Sequence, residues 1–115
     1  NCHYCQQFEQ NLEDVNDITV YVFPYNILSV DSVYLSHAIW CSADPAQAWE
    51  RWMLRREQPG KVPAGCLFPN EKILELGAEL QVRATPTIYF ADGSRVEGSI
   101  SARRVEEKLA SIQSG

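Results

Sequence analysis

Asn1-Cys2-His3-Tyr4-Cys5-Gln6-Gln7-Phe8-Glu9-Gln10-Asn11-Leu12 begins with two cysteines three positions apart, and Tyr4, Cys5, Phe8 and Leu12 recur at helical spacing. An amphipathic helix is expected from about Cys2 to Leu12, with Asn1 and Cys2 at its N-terminus. The unpaired backbone N–H groups there favour negative charge and acidify the first thiol. Thiols in such pairs have pKa values of roughly 3.5 to 7, against about 8.5 for a free cysteine, and the thiolate is the attacking species. Cys2 is therefore the expected nucleophile, and Cys5, one turn further on the apolar side, the buried resolving thiol. His3 and Tyr4 lie between the sulfurs and are the candidates for tuning the couple. A protonated His3 would stabilise the Cys2 thiolate and make the disulfide more oxidising. By spacing alone the pair also reads as a static disulfide or as half of a zinc site, for which four Cys or His ligands are needed. Haem attachment is disfavoured, because no histidine directly follows Cys5.

Outward from this helix, Ile18-Thr19-Val20-Tyr21-Val22-Phe23 alternates, is β-branched and aromatic, and ends at Pro24, which predicts a strand. A helix is expected from about Asp31 to Cys41. Asp44-Pro45 signals another, with Ala48, Trp49, Trp52 and Met53 as its apolar face and an end near Gln58-Pro59-Gly60. Pro59 to Pro69 reads as a loop carrying Cys66, after which Asn70 caps a helix with Ile73, Leu74, Gly77 and Leu80 on one side. Thr87 to Phe90 and Arg95 to Glu97 flank Ala91-Asp92-Gly93-Ser94, a hairpin signal. Ser101 precedes a last helix with Val105, Leu109 and Ile112 buried and a frayed Ser-Gly end. The order predicts a mixed α/β layered domain. A CxxC helix is ordinarily fed by a core strand, so one strand is expected upstream of Asn1.

The 115 residues, 45% of them hydrophobic, suit one domain with one core, here 1–115 with a helical insertion at about 31–80. Ten basic against fifteen acidic residues give a net charge of -5 without a block of like charges. Nucleic acid and acidic surfaces are thereby disfavoured as partners. The apolar stretches fall far short of the roughly 20 residues a spanning helix needs, so a soluble segment is expected. No signal peptide opens the chain, which reads as a mature product or an excerpt. Four cysteines in two differently spaced pairs suit an oxidising compartment.

Cys41 and Cys66 are either two free buried thiols or a bonded pair. A bond would close a loop of roughly 26 residues and stabilise by about 3.5 kcal/mol in the chain-entropy model, a structural role. Pro86, in Ala84-Thr85-Pro86-Thr87-Ile88, is an ordinary edge-strand proline or a cis proline at a strand entrance. Trp40, Trp49 and Trp52 are expected to pack rather than to form a ligand platform. His37 reads as a surface or satisfied helix residue, and Arg55 and Arg56 as a solvated helix end.

Cys2-His3-Tyr4-Cys5, Ala38-Ile39-Trp40-Cys41, the distant Cys66 after Val62-Pro63-Ala64-Gly65, and Ala84-Thr85-Pro86-Thr87 occur in one order over nearly the whole chain. Together they resemble the catalytic domain of the bacterial periplasmic disulfide isomerases of the DsbC and DsbG type. The resemblance implies a thioredoxin-like fold, a cis Pro86 against the cysteines, and a Thr85 backbone offered to an unfolded substrate strand. It also implies a structural Cys41–Cys66 disulfide, a periplasmic location, and an N-terminal dimerisation domain with a first core strand outside this chain. Implied partners are unfolded or misoxidised secreted proteins, a membrane thiol reductase as electron donor, and a second copy as homodimer. No cofactor or metal is expected. His3 departs from the Gly or Pro usual between such cysteines. The expected activity is isomerisation or reduction of wrong disulfides. Alternatives are a dithiol oxidase, a sulfenic-acid reductase, a holdase chaperone or assembly factor with incidental thiols, and a metal-binding module.

Overall fold

The computed structural model describes residues 2–27 and 30–114. Asn1, expected beside the helix start, and Gly115 of the expected frayed end lie outside them. The elements are α1 (His3–Leu12), α2 (Val30–Trp40), α3 (Pro45–Arg55), α4 (Asn70–Glu79), β1 (Thr87–Tyr89), β2 (Arg95–Glu97) and α5 (Ala102–Ser114). They fall into two compact units, residues 22–83 with α2 to α4, and residues 2–21 with 84–114.

The second of these units carries α1. Phe8, Val15 and Val105 are buried together, and Leu12, Ile18, Ile88, Phe90, Ile100, Ala102 and Leu109 pack around them. The helical spacing of Phe8 and Leu12 thus places one face of α1 on the core. Asn11 Nδ2 donates to the Ile100 carbonyl at 3.0 Å, which fixes α1 to the start of α5. β1 and β2 pair antiparallel with Ile88 opposite Val96. Gly93 takes a positive φ of 86° in their turn, and Asp92 Oδ1 accepts from the Ser94 N–H and hydroxyl. Those two donors hold the Asp92 carboxyl below its usual range.

One expected strand does not form. Residues 18–23 carry no ladder, because strand propensity needs a neighbour to take the alternating N–H and C=O groups, and the β1–β2 pair does not include this segment. Ile18 still reaches the core, but Tyr21 is 81% and Phe23 62% exposed.

In residues 22–83, α2 packs on α3, and Ala38, Ile39, Trp52, Met53 and Ile73 are buried. Asp44 caps α3 by accepting the Gln47 N–H at 3.1 Å, with Pro45 in the first turn, as expected. The helix ends at Arg55, slightly short of the expected Gln58-Pro59-Gly60. Arg56 adopts the left-handed conformation, φ 58°, and the Glu57 N–H bonds the Arg51 carbonyl at 3.1 Å. Asn70 does not cap α4 as expected. Pro69 holds the cap position, and Asn70 Oδ1 instead accepts from Asn26 Nδ2 at 3.0 Å, while Asn26 Oδ1 accepts from the buried Ser36 hydroxyl. Trp52 is buried, Trp49 half-buried and Trp40 41% exposed, so the packing role holds most clearly for Trp52. No helix among the described residues is long and apolar enough to cross a membrane.

Gly77 lies against the Tyr25 ring, whose hydroxyl donates to the Val82 carbonyl at 3.0 Å. A Cβ at Gly77 would overlap that ring. Alanine gains about 1 kcal/mol of helix propensity, but overpacking costs about 1–3 kcal/mol and displacing Tyr25 forfeits about 1 kcal/mol more. Gly77→Ala is therefore expected to lower denaturant stability by about 2 kcal/mol. The same change in a Tyr25→Ala background should be neutral or stabilising, and an equal loss in both backgrounds would refute the ring contact as the cause.

Candidate active site

Cys2 is the N-cap of α1, with extended backbone (φ -87°, ψ 109°), and its sulfur accepts the Cys5 N–H at 3.2 Å. A cysteine therefore occupies the position that Ser or Asp commonly fills, so the sulfur itself satisfies an orphan donor of the helix. No Asp or Glu occupies the first turn of α1 to offset its positive end. Cys2 and Cys5 are joined in a disulfide, with Cα atoms 5.1 Å apart. Both are half-buried, so Cys5 is less enclosed than the sequence led us to expect. One helical turn places its sulfur beside that of Cys2.

The Thr85–Pro86 peptide is cis. The Thr85 hydroxyl donates to Cys2 Sγ at 3.3 Å, and the Thr85 carbonyl oxygen lies 3.4 Å from the same sulfur. The turn is anchored on both sides. The Ala84 carbonyl accepts the Thr87 hydroxyl at 2.7 Å, and the Pro86 carbonyl accepts the Gly98 N–H at 2.8 Å. Three of the sequence-predicted residues, Cys2, Cys5 and Thr85, thus come together around one sulfur, and Pro86 follows Thr85 through the cis bond. His3 and Tyr4 are exposed, their rings edge to face at 5.7 Å. The buried Gln6 directly follows the pair.

Cys41 and Cys66 belong to the other compact unit, where they form the second disulfide, with Cα atoms 6.1 Å apart. His37 Nε2 donates to the Cys66 carbonyl at 2.7 Å. Phe68 stacks on His37 and meets Trp40 at 5.5 Å, so the loop is held to α2 by more than sulfur. Among the described residues no cysteine is left free.

The sequence reading assigned Thr85 through its backbone and missed its hydroxyl. The two contacting groups lie 83 positions apart, and no local pattern links them. Gly98, twelve positions beyond Pro86, was missed for the same reason, and the Thr87 hydroxyl, although only three positions from the Ala84 carbonyl it bonds, was missed because Thr87 reads as a strand residue.

Two hydrogen bonds to one sulfur favour its charged form. A net hydrogen bond is worth about 1 kcal/mol and one pKa unit about 1.4 kcal/mol, so Thr85→Val should raise the Cys2 thiol pKa of the reduced protein by about half to one unit. Thiolate absorbance followed against pH measures it. An unchanged midpoint would show that the hydroxyl does not act on the sulfur.

A cysteine-capped helix facing a cis-proline turn across one core places the fold, and comparison gives its family. The chain belongs to the thioredoxin-like domain family, whose model matches residues 1–113. More particularly, it is 46% identical over 109 residues to a probable thiol:disulfide interchange protein DsbC of Bordetella parapertussis, covering 95% of this chain and 38% of that protein. It is 28% identical over 112 residues to the thiol:disulfide interchange protein DsbC of Escherichia coli K12, covering 94% of this chain and 46% of that one. Among solved structures, the disulfide interchange protein from Neisseria gonorrhoeae superposes with a TM-score of 0.88 at 30% identity, over 96% of this chain and 80% of that chain. The α/β thioredoxin-like fold and the kinship expected from the motifs are borne out. The chain spans less than half the length of these DsbC relatives.

Proposed function

We propose that this chain is the catalytic domain of a thiol–disulfide oxidoreductase that isomerises or reduces incorrect disulfides in secreted proteins of the periplasm. The observation that carries the reading is the Cys2 sulfur, held at a helix N-terminus with two donors on it and bonded to the sulfur of a second cysteine one turn away. The similarity to DsbC proteins supports it.

In the reduced enzyme the Cys2 thiolate attacks a substrate sulfur, forms a mixed disulfide and releases the other substrate sulfur as a thiolate. When a different substrate thiolate then displaces Cys2, the disulfide has moved and no net electrons have transferred. When Cys5 displaces the substrate instead, the substrate leaves reduced and Cys2–Cys5 is oxidised. That outcome requires a thiol reductant, and a membrane thiol reductase is the proposed donor. Thr85 and Pro86 form the ledge for an extended substrate segment, and Cys41–Cys66 is structural. Residues 1–115 act as one catalytic domain with the helical stretch at about 31–80 inserted, and the whole protein works as a homodimer through a further N-terminal domain.

Refolding of a scrambled multi-disulfide protein by the full-length polypeptide tests the reading. Native pairing should be recovered catalytically. Reduction without recovery would leave a reductase, and neither would sink both roles. The potential of the Cys2–Cys5 couple separates these from an oxidase, since strong oxidants lie near about -120 mV and reductants near about -270 mV. His3→Ala should make the couple more reducing, and an unchanged potential would remove His3 from redox tuning.

A further inference from the structure

Three carbonyls line the turn from Ala84 to Pro86, and the fold already engages two of them. The Ala84 carbonyl takes the Thr87 hydroxyl and the Pro86 carbonyl takes the Gly98 N–H. The third, that of Thr85, faces Cys2 Sγ at 3.4 Å. The same sulfur receives the Thr85 hydroxyl at 3.3 Å and the Cys5 N–H at 3.2 Å. In the dithiol state these contacts oppose one another. The two donors bond to sulfur lone pairs and favour the thiolate, whereas the carbonyl is satisfied only by an S–H and favours the thiol.

An extended polypeptide adding to this ledge brings backbone N–H groups that need carbonyls, and Thr85 O is the one the turn has not committed to its own fold. A peptide N–H is a far stronger donor than a thiol. It displaces the S–H from that oxygen and turns the positive end of its own dipole toward the sulfur. Both effects act in the same direction.

We propose that strand docking itself generates the nucleophile: the substrate's backbone N–H takes the Thr85 carbonyl from Cys2, whose proton passes to solvent. The resulting thiolate is held by the Thr85 hydroxyl and the Cys5 N–H. The inference rests on Thr85 being the substrate ledge. Its consequence is selectivity, because Cys2 is most reactive where a polypeptide is bound and less reactive toward small thiol-directed reagents in the empty site. The titratable groups on the neighbouring elements are His3, Tyr4, the Cys5 thiol of the reduced protein and Glu9 on α1, Tyr89 on β1, and Arg95 and Glu97 on β2; residues 84–86 supply none. Arg95 is bonded to both Tyr89 and Glu97. None of these needs to change its charge for the ledge to act.

The test uses the full-length protein reduced at Cys2–Cys5 and labelled at cysteine Cβ. The probe is an extended, cysteine-free peptide of alternating Val and Thr. Backbone amide shifts of Thr85 to Ile88 report binding, and the Cys2 Cβ shift against pH reports ionisation in the same sample. Saturating peptide should lower the Cys2 midpoint by about half to one unit, a threefold to tenfold gain in thiolate below the midpoint. In Thr85→Val, which keeps the carbonyl, the midpoint should start higher and still fall on binding. Binding with an unchanged or raised midpoint would overturn the inference while leaving the ledge in place. Absence of any shift at Thr85 to Ile88 would overturn the ledge and the inference with it.

Discussion

Serine in place of Cys2 is expected to abolish thiol–disulfide exchange, a fall on the order of 10³-fold or more, as for other enzymes that lose their nucleophile. The hydroxyl keeps the cap, because a serine oxygen accepts the Cys5 N–H at least as well as sulfur does. The fold should therefore survive and the stability change stay small. A hydroxyl is a poor nucleophile at neutral pH where a thiolate is a strong one, so the loss belongs to chemistry and not to architecture. Cys5→Ser should behave differently. It removes escape by reduction but leaves attack intact, so mixed disulfides should accumulate while isomerisation persists in part. Equal and complete loss in both variants would argue that the pair acts only as a closed disulfide. Full biological activity in Cys2→Ser would favour a holdase with incidental thiols.

Replacing both Cys41 and Cys66 by serine is expected to cost about 3.5 kcal/mol, from the entropy that the crosslink removes from the unfolded chain. Since a domain's total stability is about 5–15 kcal/mol, this is a large fraction of it. The His37 bond to the Cys66 carbonyl and the Phe68 stack act in the folded state and remain, so the loop should keep its place on α2 until global unfolding. Urea unfolding of the two forms measures the difference. A loss under about 1 kcal/mol would show that the bridge closes a loop already held in the unfolded state. At temperatures where the double variant is folded, Cys2 should titrate as in the parent. A changed Cys2 midpoint would give the second pair a part in the chemistry.

The parts legible in the sequence are those written locally. The cysteine pair with Phe8 and Leu12 announced α1, Asp44-Pro45 announced the start of α3, and Asp92-Gly93 announced the hairpin. The parts that were not legible depend on partners far along the chain or on a conformation the residue type does not advertise. Ile18 to Phe23 has every local mark of a strand, yet a ladder is a property of two segments, and neither described strand pairs with this one. α3 ends on an arginine in the left-handed region, where glycine would have been the readable signal. Asn70 was read as a cap because of its type, whereas its side chain is taken by Asn26. At the site, spacing exposed the two sulfurs, but the hydroxyl that reaches Cys2 from Thr85 has no trace in the local pattern.

The most direct test is to trap the reaction at its first covalent step. Full-length Cys5→Ser protein, reduced, is mixed with a scrambled multi-disulfide substrate and the adducts are mapped by peptide mass after alkylation of free thiols. The account predicts a mixed disulfide between substrate and Cys2, with Cys41–Cys66 intact. Adducts on Cys41 or Cys66, or no adduct while the substrate is still rearranged, would contradict it.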